Sequence, residues 1–380
     1  MKKINILIVP DSFKNCLTAQ EVSDSIQIGL DKSRLDSKIE KIPISDGGEG
    51  FCKLLTLAMN GKFESIETVD PLGRKIVTEY GIVKKTNTAI LDIASASGLE
   101  LLKKQQQNPM YTSTFGTGLM IKSIIKKKYR KLIIGLGGSS TTDAGIGIAS
   151  ALGYNFLDKT DNFISLNGIG LGKLAKISTG DVLSEINNTE IIAAYDVNNQ
   201  LIGTKGSAFT FGKQKGASQK EIIQLNKNLM NFADIVKKDL NVDVVKIKGS
   251  GAAGGVGAGL VAFFQAKLVS GIELFFQTTD IANKIRKTDL IITGEGKIDE
   301  QTFMGKAPGE ILKIAQKYKV PIIAVVGKNE ITNGKHFDKF YKIFQLTSSE
   351  YTEQESILKA RELLINIGEK IGQLVIEKLK

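Results

Sequence analysis

Eleven residues in the second half of the chain, Gly249-Ser-Gly-Ala-Ala-Gly-Gly-Val-Gly-Ala-Gly259, hold six glycines and no side chain larger than valine. So much bare backbone limits what the segment can become. The usual reason is that a bulky anion, most often a phosphate, has to approach the main chain closely. Two further stretches share this character: Gly135-Leu-Gly-Gly-Ser-Ser-Thr-Thr-Asp-Ala-Gly145 and Thr293-Gly-Glu-Gly-Lys-Ile-Asp299. Each adjoins a strand-like or helix-like run, and three glycine loops in that setting point to phosphate chemistry.

The surrounding pattern is an alternation of short apolar runs and amphipathic stretches. Ile4–Val9 reads as a strand, followed by the capping box Thr18-Ala-Gln-Glu21 and apolar Val22, Ile26 and Leu30 at helical spacing. Near the end, 289–293, 320–326 and 342–346 are near-continuous apolar runs, as parallel strands covered on both faces require. Pro308 opens a helix between them, and Thr352 with Glu355 caps a long C-terminal one. In the middle, 76–83 and 89–93 are close enough to pair as antiparallel strands. The expected fold class is α/β: a Rossmann-like or flavodoxin-like parallel-sheet domain interrupted by an inserted second α/β domain. The expected bounds are 1–70 plus 285–380 for the first and 71–284 for the second.

Composition removes several function classes. Lys and Arg number 51 against 40 Asp and Glu, a formal charge of +11, but the excess is spread over helix faces. The one dense run, 126–131, reads as a solvated helix end, and without Trp there is no aromatic-interleaved basic platform, so nucleic-acid binding is not expected. No apolar run reaches the ~18 residues of a membrane span, and the start of the chain reads as a first strand, which fits a cytoplasmic protein. Cys16 and Cys52 are expected to be free thiols. His336 is the single histidine, so a histidine-based triad or zinc site is excluded and acid–base work falls to a carboxylate or a lysine.

Ligands of open parallel sheets bind at the carboxyl ends of strands, which places three turns at a crevice. Asp11, Ser12 and Lys14 follow the first strand. Asp46 and Glu49 flank Gly47 and Gly48, which permit close backbone approach. Gly137, Gly138, Ser139 and Ser140 open a helix with free amides and hydroxyls suited to a phosphate, though without the spacing of a Walker A motif. Asp196 ends the run 191–195, and a basic loop, Phe211-Gly-Lys-Gln-Lys-Gly-Ala217, lies downstream. Glu295 and Lys297 offer a carboxylate for magnesium and a cation for phosphate. This set suits phosphoryl transfer to an alcohol, which needs positioning, charge neutralisation and a carboxylate to accept the hydroxyl proton.

Taken together, these stretches, with Asp70-Pro-Leu-Gly73 and Ala94-Ser-Ala-Ser-Gly-Leu-Glu100, resemble the bacterial glycerate kinases that phosphorylate D-glycerate, in order along nearly the whole chain. Gln200 and Lys213 stand where that family has proline. The resemblance implies transfer of the γ-phosphoryl of ATP, with Mg2+, to D-glycerate, giving 2-phosphoglycerate. A 3-phosphoglycerate product or a non-catalytic nucleotide or metabolite sensor is the alternative. Asp196 is the expected base or magnesium ligand, with Asp46 its competitor as base. Asp11, Ser12 and Lys14 would meet the glycerate carboxylate or the transferred phosphoryl, with Gly47 and Gly48 beside the substrate. Gly137, Gly138, Ser139 and Ser140, together with Gly251, Gly254 and Gly255, would cradle ATP phosphates. Gly294 and Lys297 would contact a phosphate, and Glu295 would hold the metal. A monomer or homodimer is expected.

Overall fold

The computed structural model describes residues 3–13, 16–45, 47–48, 50–331, 338–348 and 351–378. Lys14, Asp46, Glu49 and His336 therefore lie outside the described residues. The chain divides into an outer unit, Met1–Asp46 with Phe275–Lys380, and an inserted unit, Gly47–Leu274.

The outer unit is built on five parallel strands: β1 (Ile4–Pro10), β2 (Ser37–Lys41), β11 (Leu290–Ile298), β12 (Ile322–Asn329) and β13 (Lys342–Gln345). Their order across the sheet is β13-β12-β11-β1-β2. Burial of Ile6, Ile8, Ile292, Ile323 and Val325 on a covered sheet explains why these strands read as continuous apolar runs. Helix α1 (Ala19–Lys32) starts as its sequence dictates, with the Glu21 amide donating to Thr18 Oγ1 and the Thr18 amide donating to Glu21. The Thr18 amide and hydroxyl, both donating to it, hold the Glu21 carboxyl below its usual range.

The inserted unit has a six-stranded sheet in the order β10-β9-β6-β5-β4-β3. Its strands are β3 (Lys62–Val69), β4 (Lys75–Val83), β5 (Thr88–Asp92), β6 (Lys131–Gly135), β9 (Glu190–Tyr195) and β10 (Lys267–Ser270). The last four run parallel, and β3 and β4 add an antiparallel hairpin. A separate antiparallel pair is formed by β7 (Asn155–Leu157) and β8 (Lys176–Ser178). Around the sheets pack α2 (Phe51–Ala58), α3 (Ala94–Ser97), α4 (Phe115–Lys126), α5 (Ile146–Ala151), α6 (Ser207–Phe211), α7 (Gln219–Leu240) and α8 (Ala252–Phe264). Helices α9 (Gly271–Thr279), α10 (Ile281–Arg286) and α11 (Ala307–Tyr318) follow. No helix of the described residues is long and apolar enough to cross a membrane.

Three sequence expectations are corrected. The first boundary falls at 46/47 rather than 70/71, because β3 pairs with β4 from Lys62↔Ile82 to Val69↔Lys75 and so belongs to the inserted sheet. The second falls at 274/275 rather than 284/285, because α10 packs on α11 and Lys284 pairs with Glu40 of the outer unit. The long C-terminal helix is two, α12 (Glu353–Leu358) and α13 (Ala360–Lys378), with Leu358 exposed at the break between them.

Helices α1 and α13 approach until their backbones touch. A Cβ on Gly29 would lie 2.0 Å from the Ile365 carbonyl, and one on Gly368 2.4 Å from that of Ile26. Backbone cannot yield as a side chain can. Gly29→Ala is therefore expected to lower the stability of the protein by about 1–3 kcal/mol, as overpacked cores do, measured by urea denaturation.

Candidate active site

In the outer unit, a cleft of about 440 Å³ opens at the carboxyl ends of β1, β11 and β12. It gathers four residues singled out in the sequence: Asp11, Ser12, Glu295 and Lys297. The Asp11 amide donates to the Gly294 carbonyl at 2.8 Å, which ties the first turn to β11. The Ser12 amide donates to Asp11 Oδ1 at 2.6 Å. Gly294, Glu295 and Lys297 do not form a loop. They lie within β11, which continues to Ile298 because β12 accompanies it, pairing Glu295 with Val326 and Lys297 with Lys328. Gly294 meets backbone instead of open space, since a Cβ there would sit 2.1 Å from the Val325 carbonyl.

Glu295 is 6% exposed and accepts a 2.6 Å bond from the Thr302 hydroxyl, with Lys306 Nζ 3.8 Å away. Lys297 Nζ lies 3.1 Å from Glu330 and 3.4 Å from Asp299. Its pKa is raised, by the Glu330 bond first. Lys306 and Lys328, which sequence reasoning passed over, line the same cleft.

In the inserted unit, a second set forms at the carboxyl ends of β6 and β9. Gly47 packs against the Ala194–Tyr195 backbone, and the Gly137 amide donates to the Gly47 carbonyl at 3.1 Å. A Cβ on Gly137 would sit 2.5 Å from Gly48 Cα, so these glycines are needed for segments to stack. Gly138 is exposed with φ +73°. Ser140 donates both its amide and its hydroxyl to the Ser97 carbonyl, so its side chain is held by the protein. Asp196 is exposed one residue beyond β9.

The segment 249–259 is packed tightly against its neighbours. Ala253, Gly254 and Gly255 take left-handed conformations at the start of α8. A Cβ on Gly254 would lie 1.9 Å from the Thr141 carbonyl, and one on Gly251 2.2 Å from that of Gln200. Gly255 faces Leu201 and Ala144 in the same way. Close packing, against backbone at Gly251 and Gly254 and against the Leu201 and Leu229 side chains and Ala144 Cα at Gly255, by itself requires glycine at all three positions.

Two residues that the sequence reading left without roles are central here. Lys215 is 4% exposed, with Nζ 2.8 Å from Ser139 Oγ and 2.7 Å from the Thr141 carbonyl. Burial pushes its pKa down to about 7, against the opposing field of Asp143. Asp143 is fully buried and accepts from the Thr114 amide and hydroxyl and the Gly145 amide, yet desolvation still raises its pKa. A sequence signal for Lys215 existed in its flanking glycines, Gly212 and Gly216. Both cysteines are free, and burial pushes the Cys52 thiol up to about 12.

One parallel and one largely parallel α/β unit, with glycine turns, hydroxyls and lysines at strand carboxyl ends, have the layout of an enzyme acting on small anionic groups. The chain belongs to the glycerate kinase family, whose defining pattern matches residues 6–376, and it is a kinase. It is 39% identical over 322 residues to the glycerate kinase of Halalkalibacterium halodurans, covering 85% of each chain. It is 38% identical over 324 residues to the glycerate 2-kinase of Escherichia coli K12, again covering 85% of each. A crystal structure from Salmonella typhimurium LT2, provisionally named glycerate kinase 2, superimposes with a TM-score of 0.85 at 34% identity over 99% of both chains.

A lysine whose pKa falls on folding binds fewer protons in the native state than in the unfolded one. Between about 7 and 10.5 the unfolded chain therefore holds the extra proton, and native stability gains as pH rises through that window. Urea denaturation across it is expected to show that rise, and Lys215→Met to remove it.

Proposed function

We propose that this kinase transfers the γ-phosphoryl of ATP to the 2-hydroxyl of D-glycerate, with magnesium, giving 2-phosphoglycerate and ADP. The observation that carries the reading is the 38% identity over 324 residues to a protein named for that position of transfer. When bound, ATP supplies the phosphoryl group and magnesium neutralises its charge. Among the described residues no three His, Cys, Asp or Glu side chains group to hold a metal, so a pre-built cage is absent from them. Single carboxylates suit a magnesium ion that arrives with phosphate oxygens, and Glu295 is the candidate in the outer unit.

The chain's own residues then divide the work. Asp196, exposed beyond β9, takes the proton of the glycerate hydroxyl as its oxygen bonds to phosphorus, with Asp46 the competing base. Asp11, Ser12 and Lys14 hold the glycerate carboxylate or the moving phosphoryl. Gly138 and Ser139 meet nucleotide phosphates, and Lys297 leaves its carboxylate partners, Glu330 and Asp299, to meet a phosphate oxygen.

The test is ADP release with ATP, magnesium and D-glycerate, with the product assigned by NMR. 2-Phosphoglycerate is expected; 3-phosphoglycerate would overturn the site of transfer, and no release with any hydroxy acid would leave a binding protein. Asp196→Asn is expected to cut turnover by about 10²-fold or more without unfolding the protein, and near-normal turnover would pass the proton to another carboxylate.

A further inference from the structure

The Lys215 ammonium carries three donors and no acceptor. Two of its bonds go to Ser139 Oγ and the Thr141 carbonyl. While Lys215 is charged, an oxygen that accepts from it cannot turn its own hydrogen back toward it, so in that state the Ser139 hydroxyl donates elsewhere. Ser139 is 6% exposed, which leaves little water to receive that hydrogen, and the backbone opens to solvent at its neighbour Gly138. An independent observation points the same way. Thr141 is fully buried, yet its hydroxyl has no hydrogen-bond partner within the protein. Buried hydroxyls without partners are costly, and this one stands in the same lysine-held loop as Ser139.

We propose that Lys215 is a positioning residue that orients and polarises the Ser139 hydroxyl as a donor to an anionic oxygen, phosphate or carboxylate, bound at the carboxyl end of β6. The identity of the anion rests on the kinase reading; the existence of the donor does not. An ammonium behind a hydroxyl strengthens the bond that hydroxyl gives. Asp143 is the charged group whose field reaches Lys215, and its carboxylate is already engaged by Thr114 and Gly145. Because burial holds the free lysine at about 7, an arriving anion draws a proton onto it.

The experiment is calorimetric titration of ADP, and separately of D-glycerate, into the wild type, Ser139→Ala, Lys215→Met and the double variant, each checked for folding by circular dichroism. Ser139→Ala and Lys215→Met are each expected to weaken one ligand about tenfold or more. Weakened ADP names a phosphate as the anion, and weakened glycerate names the carboxylate. The double variant is expected to lose no more than the weaker single one, since Lys215 acts through Ser139. Wild-type affinity is expected to fall as pH rises above about 7, and Lys215→Met to show no such fall. Additive losses, or unchanged affinity for both ligands in Ser139→Ala, would overturn the proposal. Should Lys215→Met not fold, wild-type affinity independent of pH overturns it equally. Ser139-dependent ADP binding in a protein that never turns over glycerate would support this site and defeat the kinase reading.

Discussion

Two left-handed turns meet in the inserted unit, and the geometry around them follows from that contact. Ala144 and Gly145 have φ +50° and +73°, and Ala253, Gly254 and Gly255 have φ between +54° and +89°. The Ala144 amide donates to the Gly254 carbonyl at 3.1 Å, while a Cβ on Gly259 would lie 2.0 Å from the Ala144 carbonyl. Alanine in this region costs on the order of 1–3 kcal/mol and persists only where its surroundings over-determine it. Here they do: the turn cannot relax without breaking into α8 behind it.

The segment 137–143 inherits that rigidity. One end is stacked on Gly47 and Gly48, and the other is anchored by Asp143 to Thr114 and Gly145. Between them, Ser140 is bound to Ser97, and Lys215 reaches in to Ser139 and Thr141. A polar loop buried this deeply is stable only when most of its donors and acceptors are matched, and of the side chains just named only the Thr141 hydroxyl lacks any partner. The functional hydroxyl is thus set by packing several residues away from it.

Much of this was legible in the sequence, for identifiable reasons. Strands buried on both faces leave continuous apolar runs, and the Thr18–Glu21 and Thr352–Glu355 boxes announce helix starts through local bonds. Asp11, Ser12, Glu295 and Lys297 could be grouped because parallel strands present their carboxyl ends together. What stayed hidden depends on long-range pairing. A run of glycines looks the same whether it faces a phosphate or the Thr141 carbonyl, and β11 passes its glycines only because β12 runs alongside. Lys215 and Lys213 differ in sequence context by almost nothing, yet one is buried and the other exposed.

The two sites also differ in the kind of electrostatics they use. In the outer cleft, Lys297 and Glu330 are exposed, Lys328 is half-buried, and the three share partners, so each can exchange one for another at little cost, and salt screens them over about 8 Å. In the inserted unit, Lys215 and Asp143 are buried, and desolvation dominates both of their shifts, in opposite directions. Charges of the first kind can follow a phosphate as its own charge changes. Charges of the second kind cannot move, and can only favour a ligand that completes the arrangement already present. A transfer reaction needs both properties, because its anions must be attracted in solution and then held in one geometry as bonds change. The distribution of burial among the lysines, more than the net charge of +11, is what separates these tasks in this chain.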